Sequence, residues 1–174
     1  TALASLGFAA DVAELVNKGE SFFRGSAAFF TGVILAISRL KSFPVRLELD
    51  GKEVFAGEAS GVFILNTRFT GGGLMIAPQA VPDDGLLDVV IIGRIGRLDL
   101  LTTLPRVYWG GHTAHPALAF YRAQRARVQV DRPMPRLFDG EINGTGSLDV
   151  TIKPAGLRVI APPEPGRQPS SPQE

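Results

Sequence analysis

Residues 66–92 read NTRFTGGGLMIAPQAVPDDGLLDVVII, and the rest of the chain is organised around them. Three consecutive glycines, Gly71 to Gly73, precede a short strand-like run, LMIAP. A Pro-Asp-Asp-Gly turn and a second apolar run, LLDVVII, follow without a spare residue. Glycine supplies positive φ or admits another surface closely, so this run marks a turn rather than a helix. Leu86–Ile92 lacks the alternation of a half-buried strand and is expected to be buried on both faces. Asp83 and Asp84, beside Gly85, have two readings: caps of a tight turn through local backbone hydrogen bonds, or carboxylate ligands of a hard cation.

On the N-terminal side the period is two. In VRLELDGKEVFAGEA, residues 45–59, Val45, Leu47 and Leu49 alternate with Arg46 and Glu48 before Asp50-Gly51, the pattern of a hairpin with a tight turn. Gly61–Leu65 then delivers Asn66 to the edge of the glycine loop. Residues 3–9 read as a short strand entering a helix at Ala10–Val16, ended by Asn17, Lys18 and Gly19. From Phe22 to Leu40 the pattern is helical and apolar almost all round, as in a helix buried in a core or at an interface. Gly25, Ala28 and Gly32 lie near one face of it and permit close packing.

On the C-terminal side a helix is expected from Leu98 to Tyr108, stopped by Gly110-Gly111. Strands follow at 119–123, 126–130 and 133–138, the last carrying Asp139-Gly140-Glu141 at its end, then at 148–152 and 157–160. The segment PPEPGRQPSSPQE is proline-rich and polar, so residues 163–174 are expected to be a disordered tail. Many short strands with few helices predict a mainly β (α+β) domain over residues 1–162, two packed sheets with helices at one side.

The 174 residues suit one domain, and 45% hydrophobic with 20% charged residues describes a globular chain. A formal net charge of +1 gives no general basic surface for nucleic acid, so attraction to a membrane or polyphosphate needs a local patch. There is no cysteine, hence no thiolate metal site, which fits a reducing cytosol. The opening TALASLGF lacks the basic start of a signal peptide. The most apolar run, 27–37, is shorter than the roughly 20 residues that span a bilayer.

The segment GGGLMIAPQAVPDDGLLDVVI resembles the signature of the diacylglycerol kinase-like lipid kinases in their bacterial form, the family that also holds sphingosine and ceramide kinases. Further words stand in that family's order: LGFAADVA at 6–13, Asn66, LPRVYWGGH at 104–112, FDGE at 138–141 and KPAGLRVIAP at 153–162. The resemblance runs from about Ser5 to Pro162. The family's Gly-Gly-Asp-Gly-Thr nucleotide motif, which belongs to an N-terminal domain, is not among these residues, so the chain resembles the C-terminal part of such a kinase. The resemblance implies a β-sandwich facing a nucleotide domain across a cleft. It also implies a lipid alcohol such as diacylglycerol as substrate, ATP as phosphate donor, and peripheral contact with the membrane surface from a cytoplasmic protein.

The resemblance assigns roles to four residues. Glu141, in the DGE word, is implied as the general base that accepts the substrate hydroxyl's proton. The alternative is a type I′ or II′ turn at Asp139-Gly140 with Glu141 merely solvated. Asp84, with the main-chain oxygens of Val81 and Leu86, is implied to hold Mg²⁺, with Ca²⁺ as the alternative, supporting the loop rather than meeting ATP. Asp88 reads as a strand residue that pairs or caps locally. His112 and His115 have no third ligand nearby and make a poor zinc site, so structure or cleft lining is expected. Arg122, Arg125 and Arg127 read mainly as a solvated face, with a phosphate or headgroup contact as the second reading. Trp109 is either core or a lipid-facing anchor. Two rival functions remain: a non-catalytic β-sandwich that binds lipid or a partner or assembles homodimers, and a relative of the polyphosphate/NAD kinases.

Overall fold

The computed structural model describes residues 2–17 and 26–156. Strand β1 (Leu3–Gly7) runs into α1 (Phe8–Asn17), and α2 (Ser26–Ser38) packs against α1. There follow β2 (Phe43–Leu49), β3 (Lys52–Leu65), the two-residue strands β4 (Phe69–Thr70) and β5 (Leu74–Met75), and β6 (Leu87–Gly93). Helix α3 (Arg97–Thr103) continues as a 3-10 turn (Leu104–Trp109) into β7 (Leu118–Ala123) and β8 (Arg125–Val130). The described chain closes with β9 (Pro135–Phe138), β10 (Glu141–Thr145) and β11 (Leu148–Thr151).

The expected two-layer sandwich forms from one sheet rather than two. Nine of the described strands are hydrogen-bonded into a single antiparallel sheet, with β4 and β5 as a separate ribbon. Strand β3 makes this continuity, because its fourteen residues serve both layers. Its first part, 52–59, pairs with β2; its last part, 61–65, pairs with β1 and also with β6. The sheet curls about that strand, and the two parts close on an apolar interior. Leu6, Val62, Ile64, Val89 and Ile91 meet Phe43, Val45, Leu47, Val128 and Leu148 there. Burial of this kind is worth about 25 cal/mol per Å² of apolar surface, and it fixes which side chains face inward.

The other face of the same strands carries the helices. Leu3, Phe63, Leu65, Val90 and Ile92 pack under α1, α2 and α3, which explains why LLDVVII reads as apolar without alternation. On Gly32 a Cβ would lie 2.7 Å from Val16 Cγ2, so the close helix contact expected there is present. The parallel expectation for Gly25 and Ala28 falls outside the described residues and side chains. So do the strand at 157–160 and the tail at 163–174.

Two local readings are corrected. LMIAP is a strand only at Leu74–Met75; Ile76 then bonds back to Leu74 O and Ala80 to Ala77 O, so the chain turns instead of extending. Residues 141–145 form a strand that the sequence did not announce, paired with β9 across the Asp139-Gly140 turn.

Candidate functional site

Asp139 and Gly140 both have positive φ, 48° and 96°, which makes a type I′ turn and places Glu141 opposite Phe138. Asp139 also ties down the start of the chain: its Oδ1 accepts from Ala2 N at 2.8 Å and Leu3 N at 2.9 Å. The Asp-Gly pair is thus accounted for by the turn. Glu141 is not, since its carboxylate is exposed and has no hydrogen-bond or ion-pair partner among the described residues. Both readings of DGE have a place in the geometry.

The 81–86 loop is closed by its own bonds. Asp84 N donates to Val81 O at 3.4 Å, and Asp84 Oδ1 accepts from Leu86 N at 2.9 Å. Asn66 Nδ2 donates to Pro82 O at 3.2 Å from the end of β3. Asp84 Oδ2 accepts from Arg122, whose Nε lies 3.4 Å from Asp88 Oδ1. Asp88 is the surprise. It is fully buried, no partner meets its oxygens in good hydrogen-bond geometry, and burial, reinforced by Asp84 and opposed by Arg122 and the Gln79 side chain, pushes its pKa up. Asn66 Oδ1 is likewise buried without a partner. The sequence showed Asp88 only as a break in an apolar strand; its register opposite Arg122 on β7 supplies what that missed.

Asp84 and the main-chain oxygens of Val81 and Leu86 are hard donors of the kind a divalent cation takes, although Asp84 Oδ1 and Oδ2 already accept from Leu86 N and Arg122, and Val81 O from Asp84 N. Among the described residues no three His, Cys, Asp or Glu side chains gather as a metal site. An ion there would rest on main-chain oxygen and water, and would share Asp84 with Arg122.

Between the sheet and the helices lies a cavity of about 630 Å³. Its walls come from α1 (Phe8, Val12), the central strands (Phe63, Val90, Ile92) and the α3 segment (Leu100, Leu104, Val107). Thr70 and Gly71 of the glycine loop line it, as do Asp139 and Gly140. The glycine loop and the DGE turn therefore meet around one apolar space. Gly71, Gly72 and Gly73 have φ of 45°, 76° and 93°, so their run is needed to turn β4 into β5.

His112 lines the same cavity and is buried. Its Nε2 is 3.0 Å from Ile76 O, and its ring tilts against Phe120 with centroids 5.8 Å apart. Burial lowers its pKa, and the hydrogen bond to the Ile76 carbonyl opposes that shift in part. His115 instead meets Asp99 at 3.0 Å, so the two imidazoles serve different contacts. The arginine cluster divides. Arg125 and Arg127 both grip Asp149, whose pKa they lower to about 2, while Arg122 turns to Asp84 and Asp88.

Residues 2–161 match the model of the YegS C-terminal NAD kinase beta sandwich-like domain. The chain belongs to that family. The YegS-type domain is 32% identical over 139 residues to a diacylglycerol kinase of Mycobacterium tuberculosis, covering 79% of this chain and 44% of that protein. It is 29% identical over 160 residues to a probable YegS-like lipid kinase of Shewanella frigidimarina, covering 90% and 50%. A solved structure of a putative diacylglycerol kinase from Bacillus anthracis superposes with a TM-score of 0.61 at 17% identity, covering 89% of this chain and 53% of that one; this likeness shows the fold. The chain spans about half the length of the curated relatives it matches. Its likeness is therefore to the C-terminal domain of that family.

Proposed function

We propose that this domain is the substrate side of an ATP-dependent lipid kinase that phosphorylates the hydroxyl of a lipid alcohol such as diacylglycerol. The observation that carries the reading is the apolar cavity, lined at Asp139-Gly140 by the two residues before Glu141. Its volume of about 630 Å³ lies in the range of roughly 300–1,000 Å³ usual for small-molecule sites. Apolar walls hold an acyl chain by excluding water, and the polar edge holds the hydroxyl. Glu141 accepts the proton of that hydroxyl as the lipid oxygen bonds to the γ-phosphorus of ATP and the bond to the bridging oxygen breaks, releasing ADP, with ATP bound by groups outside these residues. Glu141→Gln in the full-length enzyme keeps size and hydrogen-bond geometry and removes basicity. kcat should fall by roughly 10²–10⁴-fold, with the KM for ATP and the melting temperature unchanged. Retained turnover returns DGE to its role as a turn.

Asp84 and the carbonyls of Val81 and Leu86 would hold a Mg²⁺, which would supply positive charge to steady the loop. Asp84→Ala should lower the melting temperature and abolish any Mg²⁺ effect on it. A wild-type melting temperature that follows only ionic strength, with no saturable Mg²⁺ dependence, would show Arg122 to be the loop's sole cation.

A further inference from the structure

Residues 94–109, RIGRLDLLTTLPRVYW, wall one side of the cavity with α3 and its 3-10 continuation. Leu100, Thr103 and Val107 recur at the spacing of one helical face, and that face is buried. The opposite stripe is also apolar. Leu98 is 78% exposed and Trp109 66%, with Leu101 and Tyr108 exposed beside them. A single exposed leucine needs no explanation, but four large apolar side chains on one short segment mark a contact surface.

The charges on the segment are one-sided. Arg94, Arg97 and Arg106 are exposed and none is in an ion pair among the described residues, whereas Arg122, Arg125 and Arg127 all are. The segment's single carboxylate, Asp99, is engaged by His115. Leucines that enter the acyl boundary, a Trp and a Tyr at headgroup depth and arginines for phosphate are the chemistry of an interfacial element. A second copy of the chain fits less well, because a two-fold contact would bring the same unpaired arginines face to face.

We propose that residues 94–109 dock the domain onto an anionic bilayer surface, so that the wall of the cavity lies against the membrane. The docking stands on the patch itself; only the use of the cavity by a membrane lipid rests on the kinase reading. No described helix is long and apolar enough to cross a bilayer, and the segment lies on the surface instead.

Trp109 is the only tryptophan of the chain and reports directly. The full chain is mixed, without ATP or substrate, with phosphatidylcholine vesicles that contain or lack phosphatidylglycerol. Trp109 emission should shift to the blue and be quenched by brominated acyl chains only with the anionic vesicles. Leu98→Ser with Leu101→Ser should weaken binding at least about tenfold, by loss of two buried apolar anchors. Arg94→Glu and Arg106→Glu, which leave the apolar stripe intact, should each weaken it by roughly fivefold or more. Unchanged Trp109 emission with anionic vesicles overturns the proposal, as does wild-type binding by both variant sets. A concentration-dependent dimer abolished by the leucine changes, with no vesicle response, assigns the patch to self-association instead. Failure here leaves phosphoryl transfer by Glu141 standing, and an active Glu141→Gln enzyme leaves the docking standing.

Discussion

Asp11 sets two local effects against each other. It lies in the first turn of α1, where the helix dipole favours a carboxylate by about 0.3–1 kcal/mol. Burial and the nearby charge of Glu14 outweigh that and the attraction of Lys41 and Arg132, and its pKa rises to about 6. The folded state therefore holds this proton more tightly than the unfolded chain. The stabilisation is complete below the ordinary value of 3.8 and is lost as pH rises through about 6. Asp11→Asn should raise the melting temperature at pH 7.5, and the gain should vanish by about pH 4; an equal shift at both pH values would point to packing rather than charge. The sequence displayed Asp11 inside LGFAADVA but gave no sign of its state, because that state depends on Lys41 and Arg132, far along the chain. Asp88 was hidden for the same reason, its meaning residing in Arg122 on a neighbouring strand.

At the scale of elements, those with a strong period were legible and those held by partners were not. The hairpin at Asp50-Gly51 announced itself by alternation and an Asp-Gly turn. By contrast, β10, EINGT, has a single hydrophobic residue and two strand-averse ones, so only its type I′ turn and its pairing with β9 make it a strand. The Leu98–Tyr108 helix was read as one element, yet it changes to 3-10 geometry at Leu104-Pro105, where proline withholds the N–H of a continuing α-helix. Gly110 ends it at φ 77°, accepting the left-handed conformation at a place where a Cβ would lie 3.2 Å from Pro78 Cγ. Gly110→Ala should cost about 1–2 kcal/mol from backbone conformation alone. Chemical denaturation measures it, and a loss near zero would mean that the turn relaxes without strain. Since Gly110 lies two residues before His112, a larger loss would place the His112 contact with Ile76 in the same cooperative unit.

At the scale of the molecule, most strands were legible but their joining was not. Hydrophobic pattern shows which faces are buried, whereas the passage of β3 from one layer to the other depends on pairing with β1, β2 and β6 at once. The architecture also bears on what these residues do alone. Phosphoryl transfer is mostly positioning and electrostatic stabilisation of phosphate, and a phosphate cradle usually joins a glycine loop to a helix N-terminus. Here the three glycines lead from β4 into β5, between two strands, so their N–H groups have no helix behind them. The cavity and Glu141, by contrast, are both within the chain. The 174 residues by themselves should therefore bind a fluorescent monoacyl or diacyl lipid and yet show no affinity for ATP by calorimetry and no transfer of ³²P from ATP to diacylglycerol. Lipid binding should be displaced by unlabelled diacylglycerol and weakened by a bulky change inside the cavity, such as Val12→Trp. Phosphorylation of lipid by the pure chain, lost on Glu141→Gln, would show that a nucleotide site exists within these residues and would overturn the division of labour drawn here.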